Sequence, residues 1–508
     1  MGRVLTNNTG LSVTREEPGS IGTYPSSPDW KVLEPNDISN YGAEIATVSR
    51  EPISKDKQRR KGTTTDLDSA VEYDADLTLD SFEDFIEGFM FVTAVNSDLH
   101  FAEIGCSGTG FTVPSGTAAQ AAKLQWVSGG QASLIFASGY DTAANNGLFA
   151  LNADFGATDT EITVTGLTTE SAPTGGIVEL AGIRPETGDL SIAVSSGVAT
   201  LTSDNNSVSN PLNFTTLGLT VGQAIHIGGA TASNQFSAGA GYGRIVTIAA
   251  QTMTLDKLDS TIAADTGASE TVDLLFGRFI RNVSVDHADY LETSYQFEAS
   301  FDNLDSGGAT EYEYSKGNLC NQIVMNLSIT DKATGTFGFI GTDTEVPTTT
   351  RKSLASSPRT ATKTAALNTS ADIARLRITQ VDGTGLTTDF KSLSITLSNN
   401  VSPEKILAKL GAAYMNAGNF NVDIEAQILF TNSDVTSAIR NNTTVTMDFR
   451  LKNDDGCIAI DIPSMTLGGG AKEFPVNETV LMNTTGEAFK DATLNTSLSV
   501  SLFPTVPA

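Results

Sequence analysis

The sequence predicts a mainly β protein: two related modules of strands, each with a short α-helix, and an all-β domain inserted in the first. Two observations carry that prediction. A block of strand, polar loop, alternating strand and short helix occurs twice, about 350 residues apart. Between the copies, residues from about 100 to 275 are rich in Gly, Ala, Ser and Thr, nearly empty of Lys and Arg, and read as short strands between Gly and Asn turns.

Residues 1–30 carry Gly, Pro, Ser and Thr without periodicity and read as an extended arm, with Trp30 docking its end. The first module begins at 31–99. Ala43 to Ser49 is a strand, Glu51 to Leu67 a long polar loop, and Val71 to Leu79 alternates strictly between apolar and polar. A helix follows over Ser81 to Met90, capped by Asp80 or Ser81, with Glu83 and Asp84 in its first turn. Phe82, Phe85, Ile86, Phe89 and Met90 form its apolar stripe, which must lie against a sheet.

Within 100–275 a weaker repeat relates Ile135–Gly139, Asn146–Ala150 and Glu161–Val164 to Ile225–Gly229, Gly243–Thr247 and Met253–Leu255, so the insertion is expected to hold one or two small β domains. Strands resume over 276–345 and complete the first module, with Tyr295, Phe297, Ala299 and Phe301 on one face. Residues 346–370 read as a linker.

The second module spans 371–508. Leu393 to Asn399 is a strand, Ser402 to Leu410 a helix with a Ser cap, Pro at its first position and Gly411 at its stop, and Phe420 to Ile428 the second alternating strand. A helix over Ser433 to Arg440 follows, then strands at Val445–Leu451, Ile458–Ile462 and Leu494–Leu502. The first and second strands of the block start 28 residues apart in one copy (43 to 71) and 27 in the other (393 to 420).

At 508 residues the chain exceeds one ordinary core. Its net charge of −28 argues against a surface that binds nucleic acid by neutralising phosphates, which needs concentrated Lys and Arg. Three widely separated cysteines, Cys106, Cys320 and Cys457, fit buried apolar side chains in a protein made in a reducing compartment. The start of the chain lacks a signal-peptide apolar region, and no stretch nears the ~18 apolar residues of a membrane span, so neither export nor anchoring is expected.

His100, His226 and His287 have no acidic or cysteine neighbour at ligand spacing, and phosphate-loop, zinc-protease, serine-hydrolase and CxxC patterns are absent. Gly105–Gly110 and Gly241–Gly243 lack the strand-to-helix context of a phosphate cradle and read as turns. Neither catalysis nor a metal or other cofactor is expected. Paired carboxylates from different strands, as a glycoside hydrolase would need, lie beyond sequence reach.

Two charged features remain. Glu72, Asp74 and Asp76 point to one side of their strand, as do Asp423 and Glu425 of theirs, so each strand presents a carboxylate ribbon opposite an apolar face. This is either a solvated outer face or a functional negative surface. Lys55, Lys57, Arg59, Arg60 and Lys61 form the basic cluster of the first loop, better suited to an acidic neighbour of its own kind than to DNA.

The runs Leu33–Ile38, Gly42–Ile53 and Arg59–Asp68, with the strand and helix that follow, resemble the major tail tube proteins of long, non-contractile-tailed bacteriophages. Asn321–Ile340 and Leu393–Phe430 read like later strands of that family. The resemblance implies β-sandwich or barrel modules, each with a helix on its flank, in a structural virion protein made in the host cytoplasm, whose modules join laterally into rings. The rings stack into a tube around a tape measure protein, end at tail terminator and tail tip proteins, and later conduct the genome.

Most members have one module per subunit and six subunits per ring. Two modules per chain imply three subunits in a pseudo-sixfold ring, with six as the alternative. Glu72, Asp74, Asp76, Asp423 and Glu425 would then face the lumen and let DNA pass unbound. Lys55, Lys57, Arg59, Arg60 and Lys61 would contact the next ring, and the insertion would project outward. A capsid or baseplate protein, or a secreted β-rich adhesin, are the competing readings.

Overall fold

A computed structural model describes residues 5–505 except 54, 56, 174, 205–207, 305–307, 355–357, 360–363, 382, 384 and 388. In chain order, the first segment holds β1 (Thr9–Arg15), β2 (Lys31–Leu33), β3 (Asp37–Arg50), β4 (Arg60–Asp76) and α1 (Leu79–Met90). The insertion adds β5 (His100–Ala102), β6 (Gly110–Thr112), α2 (Ala118–Lys123), β7 (Ala132–Ser138), β8 (Gly147–Ala150), β9 (Glu161–Thr163) and β10 (Ile177–Arg184). It continues with β11 (Ser191–Ser195), β12 (Val198–Thr202), β13 (Ala224–Ile227), β14 (Gly241–Ile248), β15 (Thr252–Asp256) and β16 (Leu274–Leu275).

Then come β17 (Arg278–Arg281), β18 (Ser294–Leu304), β19 (Ala309–Ser328), β20 (Thr334–Gly341), β21 (Asp343–Thr344), β22 (Ile373–Gln380), β23 (Gly385–Thr387) and β24 (Phe390–Ser398). The last stretch holds β25 (Ser402–Glu404), β26 (Tyr414–Asn416), β27 (Asn421–Leu429), α3 (Asp434–Arg440), β28 (Val445–Asn453), β29 (Gly456–Glu473), β30 (Leu481–Ala488) and β31 (Ser499–Phe503).

The chain forms two compact units, each assembled from three segments. One comprises 1–92, 284–366 and 392–425, and the other 93–283, 367–391 and 426–508.

In the first unit, antiparallel pairing runs β2–β1–β18–β19–β20–β4–β3. The alternation of residues 71–76 places Val71, Tyr73 and Ala75 in the core. Helix α1 covers them. Its cap is Thr78 rather than Asp80 or Ser81: Thr78 Oγ1 accepts from Ser81 N at 3.1 Å, and Ser81 Oγ accepts from Thr78 N at 3.0 Å.

The predicted stripe is buried, and Phe85 lies 5.5 to 6.5 Å from the rings of Tyr73, Tyr295, Phe337 and Phe339. Helix and sheet approach so closely at Gly88 that a Cβ there would collide with the Tyr295 ring.

Three sequence expectations are corrected here. Nearly half of the long polar loop is strand: β4 begins at Arg60, and the outer half of the ribbon it forms with β3 is exposed on both faces. With both faces wet there is no alternation to read, although Thr63, Thr64 and Thr65 favour extended backbone. Residues 402–410 are not helical, because Ser402–Glu404 pairs with β26. Ile406, Leu407 and Leu410 are exposed there, so an apolar stripe would have had nothing to pack on.

The extended arm contains β1, a full member of the sheet. Trp30 does dock, 1% exposed, its Nε1 donating to Tyr24 Oη at 3.0 Å. The linker stretch is also anchored: Arg359 N donates to Trp30 O at 2.7 Å, and Lys352 Nζ lies 4.8 and 4.5 Å from the ring centres of Tyr24 and Tyr314.

In the second unit, residues 100–275 form a ten-stranded sheet, β11–β12–β15–β14–β13–β16–β10–β7–β8 with β5 also on β10, and a separate two-stranded sheet, β6–β9. One apolar core joins Phe111, Phe214, Ile225 and Ile245. Its proposed internal repeat holds only in part, since β13, β14 and β15 pair in succession while β9 pairs with β6 rather than β8.

The same unit contains the pairing β22–β28–β29–β30, with β27 beside β30 and α3 packed on β29. Strand β24 lies beside β27, as Leu429 N donates to Asp389 O at 2.9 Å and Gly418 N to Asn399 O at 2.9 Å. The order β22–β28–β29–β30–β27–β24 therefore matches β1–β18–β19–β20–β4–β3 strand for strand, in the same succession along the chain. Even a bulge is shared: two steps along β18 (Tyr295 to Phe297) oppose three on β19, as Val445 to Met447 oppose three on β29. The insertion enters between α1 and β18.

A buried charge lattice fastens the insertion to β22, β28 and β29 within this unit. Arg244 bonds Asp256 at 2.8 Å and Asp461 at 2.8 Å, while Asp259 accepts from Arg375 at 2.8 Å and Arg450 at 2.6 Å. Lys257 also reaches Asp461, and Arg450 stacks 4.4 Å from the centre of the Tyr242 ring. Burial pushes the Asp461 carboxyl up, but Lys257 and Arg244 outweigh it and hold the group below the usual carboxylate range.

Phe85→Ala should cost about 3–5 kcal/mol in chemical denaturation, because no neighbour can refill the ring's volume. Because Asp461's folded value is depressed, its contribution is present above the unfolded carboxylate value and is lost as pH falls. Thermal melts should show the second unit weakening on acidification through that range. Asp461→Asn should lower stability at neutral pH by about 3–5 kcal/mol and reduce the acid dependence.

Candidate functional site

The first unit turns one face of β4, β20, β19 and β24 away from its core. Registers fix which residues share it: Asp74 opposes Thr336, Thr336 opposes Val324, and Val324 opposes Thr396 across the four strands. The neighbouring row runs from Glu72 through Gly338 and Gln322 to Ser398, and the next from Asp76 through Thr334 and Asn326 to Ser394. The opposite positions, among them Tyr73, Phe337, Met325 and Ile395, are buried. The rows therefore carry three carboxylates, several hydroxyls and amides, and neither Lys nor Arg.

The carboxylates are held in place by short bonds. Thr336 Oγ1 donates to Asp74 Oδ1 at 2.5 Å, Ser39 Oγ to Glu72 Oε1 at 2.8 Å, and Asn36 Nδ2 to Asp76 Oδ1 at 2.5 Å. Lys332, in the β19–β20 turn, meets Asp76 at 2.6 Å. Partial burial pushes the Asp76 carboxyl up, but Lys332 and Asn36 more than offset it, so it sits below the usual range and stays charged at neutral pH.

Glu72, Asp74 and Asp76 are thus brought onto one face, as their spacing requires. Asp423 and Glu425 share a face of β27 and are exposed, alternating with buried Val422 and Ile424. Sequence reasoning missed the neutral part of the face on β20, β19 and β24. Its signal was present as hydroxyls and amides at period two, as in Ser392, Ser394, Thr396 and Ser398, but uncharged polar residues mark any wet strand.

Lys55, Lys57, Arg59, Arg60 and Lys61 lie exposed at the tip of the β3–β4 ribbon. Arg59 Nε reaches Glu51 at 3.3 Å, a local contact between two exposed side chains. Ile45, Val48 and Ile53 are also exposed along this ribbon. Lys405 braces the base, bonding Asp66 at 2.6 Å and Asp68 at 2.7 Å. A two-stranded ribbon with wet faces is marginal by itself, so its length invites a partner.

Of the histidines, His100 meets Glu179 at 3.2 Å, His226 is buried and pulled down to about 4 by burial, and His287 is partly exposed. All three cysteines are buried and free.

Residues 258–479 match the family model described as phage tail tube protein, a little under half of the chain. The match includes β19, β20 and β24 of the polar face just described, and β27, but not β4, which bears Glu72, Asp74 and Asp76. It supports a structural protein of a phage tail. No curated protein matches the sequence.

If the acidic rows keep DNA from adhering, the double variant Glu72→Lys, Asp74→Lys should bind duplex DNA in gel-shift experiments at low salt, with affinity falling steeply as salt rises. The unaltered protein should show no shift.

Proposed function

We propose that this chain is the tail tube protein of a long, non-contractile phage tail, self-assembling into stacked rings whose lumen conducts the genome. The observation that carries the reading is the four-strand face of hydroxyls, amides and carboxylates without a cation in its rows, of which β19, β20 and β24 fall within the tail tube family match while β4, bearing the carboxylates, precedes it. Such a wall repels phosphates within about 8 Å at physiological salt and has no Lys or Arg in its rows to pair with them, so DNA slides without specific binding. Glu72, Asp74, Asp76, Asp423 and Glu425 are the lumen carboxylates in this reading.

The recurring strand order supports two tube modules per chain. Three chains then supply six modules, and a ring of heterologous contacts closes with pseudo-sixfold symmetry. The β3–β4 ribbon, with Lys55, Lys57, Arg59, Arg60 and Lys61 at its tip, reaches the next ring, where acidic surface of a chain of net charge −28 receives it. The insertion decorates the outside. Before the genome passes, a tape measure protein fills the lumen, and terminator and tip proteins cap the ends.

The variant Arg59→Glu, Arg60→Glu, Lys61→Glu tests the stacking role. These side chains are exposed, so the monomer's melting temperature should hold while electron microscopy shows rings or free subunits in place of tubes. Normal tubes from this variant would contradict the stacking assignment.

A further inference from the structure

We infer that the open edge of β29, residues 467–473, receives strand β3 of a second copy of this chain. The inference rests on the tube reading above and names the surface by which its rings close. It begins with β19. Residues 309–319 of that strand pair with β18 along one edge, while residues 319–326 pair with β20 along the other. Beyond the end of β18, residues 322–328 continue the first edge by pairing with β24. That edge is therefore filled by two strands end to end.

Strand β29 is the counterpart of β19. Residues 456–465 pair with β28 on one edge, and residues 465–473 pair with β30 on the other. Beyond the end of β28, no strand among the described residues continues that first edge, so the place that β24 occupies on β19 is open on β29. It contains Gly468, Gly469 and Gly470, and Ala471 and Glu473 are exposed. Glycines in a strand permit close approach of another backbone, and an open edge recruits one.

The occupant follows from the same repeat. The strand equivalent to β24 is β3, since each opens a hairpin whose second strand leads into a helix. Among the described residues β3 pairs with β4 on one side only, and it is largely exposed. Among the described residues, each chain thus carries one filled seam, one open edge and one unclaimed strand of the matching type. β3 cannot be replaced by β24 in this role, because β24 is already committed to β19.

Cysteine scanning on assembled protein tests the seam. Ala471→Cys is combined in turn with a cysteine at each β3 position from Asn40 to Ala46 and oxidised, and the native cysteines, all buried, give little background. Asn326→Cys with Ser394→Cys, which oppose each other across β19 and β24, provides the within-chain standard.

The seam predicts covalent links between chains at one or two neighbouring β3 positions, ending in closed oligomers on denaturing gels. Rings visible by microscopy that give no link at any position, while the standard forms, would overturn the seam and leave the tube reading intact. Failure of the unaltered protein to form rings at all would overturn both.

Discussion

The twenty-residue strand β19 is the constraint on which the first unit depends. A strand of that length carries a row of backbone donors and acceptors along both edges, and each group left unpaired in the interior would cost about 1–3 kcal/mol. Four strands meet the demand: β18 and β24 on one edge, β20 and β21 on the other. Because β24 lies some 70 positions further along the chain, β19 is completed only by a distant segment. The polar face is continuous across β4, β20, β19 and β24 only because those ladders hold Glu72, Gly338, Gln322 and Ser398 in a single row.

Charge is used in two distinct ways. On the polar face the carboxylates are anchored by Ser39, Thr336 and Asn36, and Asp76 also meets Lys332. Beneath the insertion, carboxylates of the same kind are enclosed and must be paired: Asp461 with Arg244 and Lys257, Asp448 with Arg375 and Arg377. Pairing of that sort gives little net stability against an apolar contact, yet breaking it is costly, which favours one fixed docking over many.

Much of this was legible in the sequence where burial imposes a period. The alternation around Tyr73 and Ile424, the helical stripe of Phe82, Phe85, Ile86 and Phe89, and the two strand-helix blocks all follow from which side chains must leave water. Where both faces are wet, the signal fails. The outer part of β4, residues 60–67, therefore read as loop, and residues 402–410 read as helix because Ser, Pro and Gly sit at cap spacing without an apolar surface to receive the turn. The acidic part of the face was visible through Glu72, Asp74 and Asp76, whereas the hydroxyl part on β24 needed the register with β19, which pairs residues some 70 positions apart.

Two tube modules in one chain is the claim that joins fold, face and ring. Cryo-electron microscopy of assembled tubes, with the chains in one ring counted from the reconstructed density, tests it most directly. Three chains per ring, each contributing two equivalent wall segments, is the predicted result. Six chains per ring, or a wall built from only one segment of each chain, would contradict it.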